Sequence, residues 1–396
     1  MRDLICVSHL RWDFVWQRPQ HLLSRLARQY RVLFVEEPVT IEGEGQPLLE
    51  IFPGRHSSNV TVARLVQPVS AHHWIGHGDS RTCAAYCELL RDYLDAQNIN
   101  APVLWLYTPM ALEFADTIRH RLLIYDVMDQ LAAFKGAPLE LKDREQTLLR
   151  RADVVFTGGV SLFADKQPYN PNTHLLPSGV EIEHFARAAY RDSFARPTDL
   201  EGIRQPILGY FGVIDERMDL PLLARVAASH PEWQIVLLGP VTKIDRADLP
   251  HADNIHYLGM KSYDQLPAYL AYFDVALIPF AMNESTRFLS PTKTLEYMAA
   301  HKPIVSTPIR DVIDLYGAVV RVGETPEEFI AQIEHTLMEK ADLRRRAKED
   351  ELLAQHTWDN IVRQMGRLVD RKLVYDEVQS MERVRQSAKS STAQIS

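Results

Sequence analysis

Two successive α/β domains, each a doubly wound, Rossmann-like parallel sheet, are what this sequence predicts. Three observations predict them. Short apolar runs separated by helical spacing recur at residues 4–8, 31–36, 103–107, 122–125 and 154–157, and the same order restarts at 207–211, 234–238, 255–258 and 275–279. Strand, crossover helix and strand at this pitch make a right-handed parallel unit. A chain of 396 residues is also long for a single core. Finally, residues 186–205 carry charges and a proline with no strand pattern, which reads as an interdomain linker. The expected domains are 1–186, 204–355, a C-terminal helix at 356–384 and a disordered tail at 385–396.

Composition narrows the function classes. A net charge of −8 argues against a general nucleic-acid binder. Cys6, Cys83 and Cys87 make no disulfide framework and read as buried, reduced thiols. No apolar run approaches a membrane span, and the N-terminal residues are too polar for a signal peptide, so a cytoplasmic location is expected, with peripheral membrane contact left open.

In doubly wound sheets, ligands bind beyond the carboxyl ends of the strands. After the first strand, residues 9–21 hold Trp12, Trp16, Arg11, Arg18, Asp13, His9 and His21, which can stack on a sugar ring and bond its hydroxyls, or pack under the sheet edge. Such a basic, aromatic loop also suits a lipid headgroup or phosphate. Asp126 and Asp129 end the fourth strand and are candidates for a general base, for orienting a hydroxyl, or for capping the next helix. His72, His73 and His77 resemble metal ligands, but with no acidic ligand beside them a loop contact is expected.

The second half is organised around residues 290–308. Ser290 is a good N-cap and Pro291 suits a first helical position, so a helix is expected from here to about Ala300, ended by His301, Lys302 and Pro303. Its tip, with Thr292 and the Lys293 ammonium in the first turn, is a site for a phosphate. Glu296 lies one turn on and can accept two hydrogen bonds, which suits a vicinal diol such as ribose. Phosphate and diol together describe a nucleotide. The plain alternative is a capped surface helix with solvated Lys293 and Glu296.

Residues 291–305, Pro-Thr-Lys-Thr-Leu-Glu-Tyr-Met-Ala-Ala-His-Lys-Pro-Ile-Val, resemble the donor-binding helix of GT-B glycosyltransferases, close to family 4. The resemblance implies that Glu296 holds the ribose of a sugar nucleotide. Where the family often has a second Glu eight positions earlier, this chain has Phe288. Ser178-Gly179-Val180-Glu181 to Phe185 is similar to the segment closing the family's first domain, with Ser178 and Glu181 for Asn and Asp. After Gly212 the family commonly has Arg and then Lys on the diphosphate; this chain offers Val213 and Arg217, so Arg217 would share that work with Lys293. An ion pair among Asp215, Glu216 and Arg217 is the alternative. Gly259 and the backbone after it would meet the nucleobase.

The fold this implies is GT-B: two Rossmann-like domains facing across a cleft, with the last helix crossing back onto the first domain. The function implied is transfer of a sugar from a nucleotide-sugar donor, a UDP-sugar, to a hydroxyl on a glycan or lipid-linked acceptor, as in bacterial cell-surface polysaccharide synthesis. No Asp-X-Asp occurs, so no metal and no other cofactor is expected. Family 4 retains anomeric configuration; an inverting enzyme would need a base, for which Asp13, His21 and Asp129 are the catalytic candidates. The rival readings are a nucleotide-sugar epimerase and an inactive GT-B-like scaffold.

Overall fold

The computed structural model describes residues 2–43, 45–55, 57–68, 80–134, 136–339 and 342–393. It divides into two compact units. One comprises the chain up to Thr157, Asp165–Leu176 and everything from Ile361 on; the other comprises Gly158–Ala164 and Pro177–Asn360.

The first unit contains strands β1 (Arg2–Val7), β2 (Tyr30–Ile41), β3 (Leu48–Gly54), β4 (Ser57–Pro68), β5 (Val103–Leu106), β6 (Leu122–Val127), β7 (Val154–Thr157) and β8 (Thr173–Leu175). Their order in the sheet is β3-β4-β2-β1-β5-β6-β7-β8, parallel throughout except for the antiparallel β3–β4 pair. The central strands are covered on both faces, and Leu4, Ile5, Cys6 and Val7 are buried. That is why they read as unbroken apolar runs. Nothing in the apolar pattern announces the β3–β4 hairpin, because β3 is a half-exposed edge strand carrying Pro53. The helices of this unit are α1 (Arg18–Leu26), α2 (Ser80–Ala96), α3 (Leu112–Thr117), α4 (Leu141–Arg151) and the last turn of α5 (Val160–Lys166).

The second unit begins earlier than the expected boundary at residue 186. Phe185, at the end of the segment expected to close the first domain, and Ala188 and Leu200, isolated among charges in the expected linker, are fully buried in this unit's core. Burial of singly spaced apolar residues against helices leaves no periodic trace in the sequence. After α6 (Ile182–Ala186) come β9 (Ile207–Phe211), α7 (Leu220–Ser229), β10 (Gln234–Leu238), β11 (Ile255–Tyr257), α8 (Leu266–Leu270), β12 (Val275–Ile278), α9 (Lys293–Ala299), β13 (Ile304–Ser306), α10 (Arg310–Tyr316), β14 (Arg321–Val322), α11 (Pro326–Met338) and α12 (Leu343–Gln355). The all-parallel sheet runs β11-β10-β9-β12-β13-β14, a doubly wound order whose direction reverses between β9 and β12.

The chain ends in α13 (Trp358–Ala393), which from Ile361 belongs to the first unit and is bound to it by Arg2–Asp370, by Arg121–Glu377 at 2.5 Å and by Lys372–Asp153 at 3.5 Å. The disordered tail expected from residue 385 is instead helical to Ala393, and residues 394–396 lie outside the described residues. With no Gly or Pro between Arg367 and Ala393, extending an existing helix avoids the cost of nucleating one.

Candidate functional site

Glycines stand at the carboxyl ends of three neighbouring strands in the second unit. Gly212 follows β9, Gly239 follows β10 and Gly259 lies just past β11, with φ of +139°, +146° and +71°. The Gly212 N–H donates to the Leu238 carbonyl at 2.9 Å, and the Gly239 N–H donates to the Gly259 carbonyl at 2.9 Å. A Cβ on Gly239 would lie 1.9 Å from the Gly212 carbonyl oxygen. One on Gly212 would lie 2.9 Å from the Tyr210 hydroxyl and 3.1 Å from Lys293 Cε. The backbone along this edge therefore runs bare of side chains, with the Lys293 stem directly beside Gly212.

Lys293 opens α9, and its ammonium lies 5.3 Å from the Tyr210 ring centroid and 5.0 Å from that of Phe280. Tyr210 is on β9 and Phe280 lies just beyond β12, so the charge sits where the strand order reverses, held by the negative faces of two rings. One turn further, Glu296 is only partly accessible, and α6 packs on α9 beside it. Burial pushes the Glu296 carboxyl up to about 7; the nearby Lys293 charge opposes this and Glu181 adds to it. Near neutrality Glu296 is divided between a carboxylate that accepts hydrogen bonds and an acid that can donate one.

The helix is shorter than expected. It begins at Lys293, with exposed Thr292 at the capping position and no side-chain cap bond, and spans seven residues. Ser290 is not the cap: a Cβ on Gly159 would lie 2.8 Å from Ser290 Cβ, so Ser290 is packed against the 158–164 segment. That segment is anchored by buried Asp311, which accepts from the Ser161 N–H and hydroxyl. A seven-residue helix has a weak dipole, so the positive charge at this edge comes mainly from Lys293. Arg217 is held by buried Asp215, with Nε at 3.0 and 3.1 Å from the two carboxylate oxygens and Nη2 at 2.7 Å. Its charge is thereby largely balanced, as in the ion-pair alternative.

In the first unit, the loop after β1 buries Trp12 and leaves Phe14 exposed. Trp12 is buried, donates from Nε1 to the Arg55 carbonyl at 3.1 Å and meets Phe34 edge-on. Trp16 donates from Nε1 to His21 Nδ1 at 3.2 Å, which places the proton of a neutral, buried His21 on Nε2. Asp13 is exposed and accepts from the Arg55 N–H at 3.1 Å, at the β3–β4 turn. Asp126 is buried against Arg18, whose Nε lies 3.1 and 3.2 Å from its two oxygens and whose Nη1 donates to the Leu176 carbonyl. Asp129 is half-buried in the loop after β6. Its neighbour Gln130 is fixed by a network in which Lys166 donates to Gln130 and, at 2.8 Å, to Glu145, while the Tyr125 hydroxyl donates to Glu145 at 3.0 Å.

Sequence reasoning did not pair Arg18 with Asp126, Lys166 with Glu145 or Glu181 with Glu296. The first pairing had a signal: a carboxylate inside the apolar strand Leu-Leu-Ile-Tyr-Asp-Val needs a buried partner. The three cysteines are free and buried. His72, His73 and His77 lie outside the described residues, and among the described residues no group of three or more His, Cys, Asp or Glu side chains could hold a metal ion.

Two Rossmann-like parallel sheets with a long helix closing the chain define the GT-B fold. Solved structures share it. A sucrose-phosphate synthase from Thermosynechococcus elongatus superposes with a TM-score of 0.71 at 15% identity over 95% of this chain and 100% of its own. An α,α-trehalose 6-phosphate synthase from Burkholderia multivorans gives a TM-score of 0.67 at 15% identity over 96% and 100%. The E. coli trehalose-6-phosphate enzyme bound with UDP-2-fluoro glucose gives 0.63 at 14% over 94% and 99%. Within the chain, residues 205–339 match the profile of the family described as Glycosyl transferases group 1. A relative in Bacillus subtilis (strain 168), the putative teichuronic acid biosynthesis glycosyltransferase TuaH, is 23% identical over 235 residues, which are 57% of this chain and 58% of that protein. The matched region thus spans little more than half the length of this relative.

Proposed function

We propose that this chain is a glycosyltransferase, of the type that family 4 represents, transferring a sugar from a nucleotide-sugar donor to a hydroxyl on a glycan or lipid-linked acceptor. The observation that carries the reading is Lys293 lying beside bare Gly212 at the switch point of the second sheet, with Glu296 one turn on. The ammonium and the glycine backbone suit a diphosphate, Glu296 suits the ribose diol, and the backbone from Gly259 suits the base. The family profile covers this same region, which supports the donor assignment. A UDP-sugar donor is favoured by structural neighbours described as UDP-forming, and a cell-surface glycan acceptor by the name of the Bacillus relative.

Retention of configuration is the course family resemblance suggests, with no protein-held metal. The sugar C1–phosphate bond breaks, the acceptor hydroxyl bonds C1 from the same face, and its proton passes to an oxygen of the departing diphosphate. Lys293 stabilises the charge that grows there. Arg217, drawn toward Asp215, contributes less.

A thermal-shift comparison of UDP, GDP, ADP and dTDP tests this, because a ligand of the folded state raises the melting point. UDP is expected to give the largest shift. Lys293→Ala should weaken UDP by about 10- to 100-fold, the worth of a charged hydrogen bond, while sparing uridine; Glu296→Ala should weaken both. No shift with any nucleotide sinks the donor site. Binding without transfer returns the chain to a scaffold, and a changed sugar nucleotide formed without acceptor makes it an epimerase.

A further inference from the structure

We infer that the outer face of α13 is a docking surface for an anionic lipid bilayer. The inner face of this helix is satisfied: Ile361, Met365, Val369 and Leu373 are buried. Of the helix's acids, Asp370 pairs with Arg2, Glu377 with Arg121 and Asp376 with Lys372, and Asp370 and Glu377, seven and fourteen residues after Arg363, lie on the solvent side beside the arginines. Arg363, Arg367 and Arg371 are exposed, and the same line continues into Val374, Val378 and Met381 at 55%, 47% and 63% exposure. Steps of four, four, three, four and three residues keep all six on one side of a helix, over about 27 Å. Tyr375, 58% exposed, borders the apolar half, as does the acidic Glu382. The sequence that follows adds Arg383, Arg385 and Lys389 and no acid.

Three exposed arginines run into exposed apolar side chains, and the Asp370 and Glu377 carboxylates beside them are paired with Arg2 and Arg121, which gives the helix a basic half and an apolar half. A second copy of the helix fits it poorly. Parallel pairing would set the arginines against each other, and antiparallel pairing would set them against Val374, Val378 and Met381. Anionic headgroups neutralise the arginines while the apolar residues enter the acyl boundary, the arrangement of an interfacial amphipathic helix. This surface goes beyond the donor site and does not depend on it.

Flotation of the full chain with vesicles tests the surface, using phosphatidylcholine alone and phosphatidylcholine mixed equally with phosphatidylglycerol. The protein is expected to float only with the anionic vesicles, and less so as salt is raised. Arg367→Glu with Arg371→Glu should lower the bound fraction by about fivefold per arginine or more. Val374→Glu with Val378→Glu should do likewise, with both variants keeping the parent's melting point and its response to UDP. Absence of flotation at low salt overturns the proposal, as does equal flotation of the variants. A dimer that the valine variant splits, with vesicle binding unchanged, also overturns it and assigns the face to a second copy.

Discussion

Glu296 keeps its proton in the folded chain up to about pH 7, whereas an unperturbed carboxyl releases it near 4.5. Between those values the native state binds more protons than the unfolded one, so this residue makes stability fall as pH rises, and its cost is complete above about 7. At about 1.4 kcal/mol per pH unit the full effect is at most about 3 kcal/mol, and the partial accessibility of the side chain lowers it. Glu296→Gln removes the charge and keeps the shape. Its melting point should match wild type at about pH 5 and exceed it increasingly toward about pH 8; a difference constant across that range would mean Glu296 is ordinarily solvated. Lys293 and Glu296 were legible in the sequence because a cation and an acid one turn apart at a helix start is a local pattern. Glu181 was not, because its approach to Glu296 depends on α6 packing against α9 across more than a hundred residues.

Elements are anchored here by paired charges that local pattern does not disclose. The Arg18–Asp126 pair joins the first turn of α1 to the interior of β6, and the same guanidinium reaches the Leu176 carbonyl after β8. Removing one member of a buried pair leaves the other charge desolvated and alone, typically a loss of 3–5 kcal/mol, whereas replacing both with apolar residues of similar volume can be nearly neutral. Asp126→Ala should therefore lower the urea midpoint markedly, and Arg18→Met with Asp126→Leu should recover most of the loss. If Asp126→Ala costs less than about 1 kcal/mol, the pair does not anchor α1. The end of α9 shows how far local chemistry reaches. His301 adopts φ +50°, its N–H bonds the Met298 carbonyl at 2.8 Å and the Lys302 N–H bonds the Tyr297 carbonyl at 3.0 Å, a Schellman closure made without glycine. The stop at 301–303 was readable from Pro303. The start was not, because Ser290 has the chemistry of a cap yet is held by packing against Gly159.

At the scale of the whole molecule, the repeat of apolar runs carried the fold, since strands covered on both faces must be continuously apolar whatever their neighbours. The point where the chain passes from one unit to the other was harder to see, because a polar stretch can still bury its few apolar residues, as Phe185, Ala188 and Leu200 do. Each unit has its own sheet, and the second has a continuous core that includes those three residues. Units with separate cores need not unfold together, so a single all-or-none transition is not the default for such a chain. Calorimetry is expected to resolve two transitions. If the donor site lies wholly in the second unit, UDP raises only the transition of that unit, by about 2.7 kcal/mol at a concentration 100 times its dissociation constant. Lys293→Ala should erase the shift and leave the other transition where it was. One transition that moves as a whole with UDP would instead mean that the two units unfold as a single cooperative body, with nucleotide binding energy shared across both.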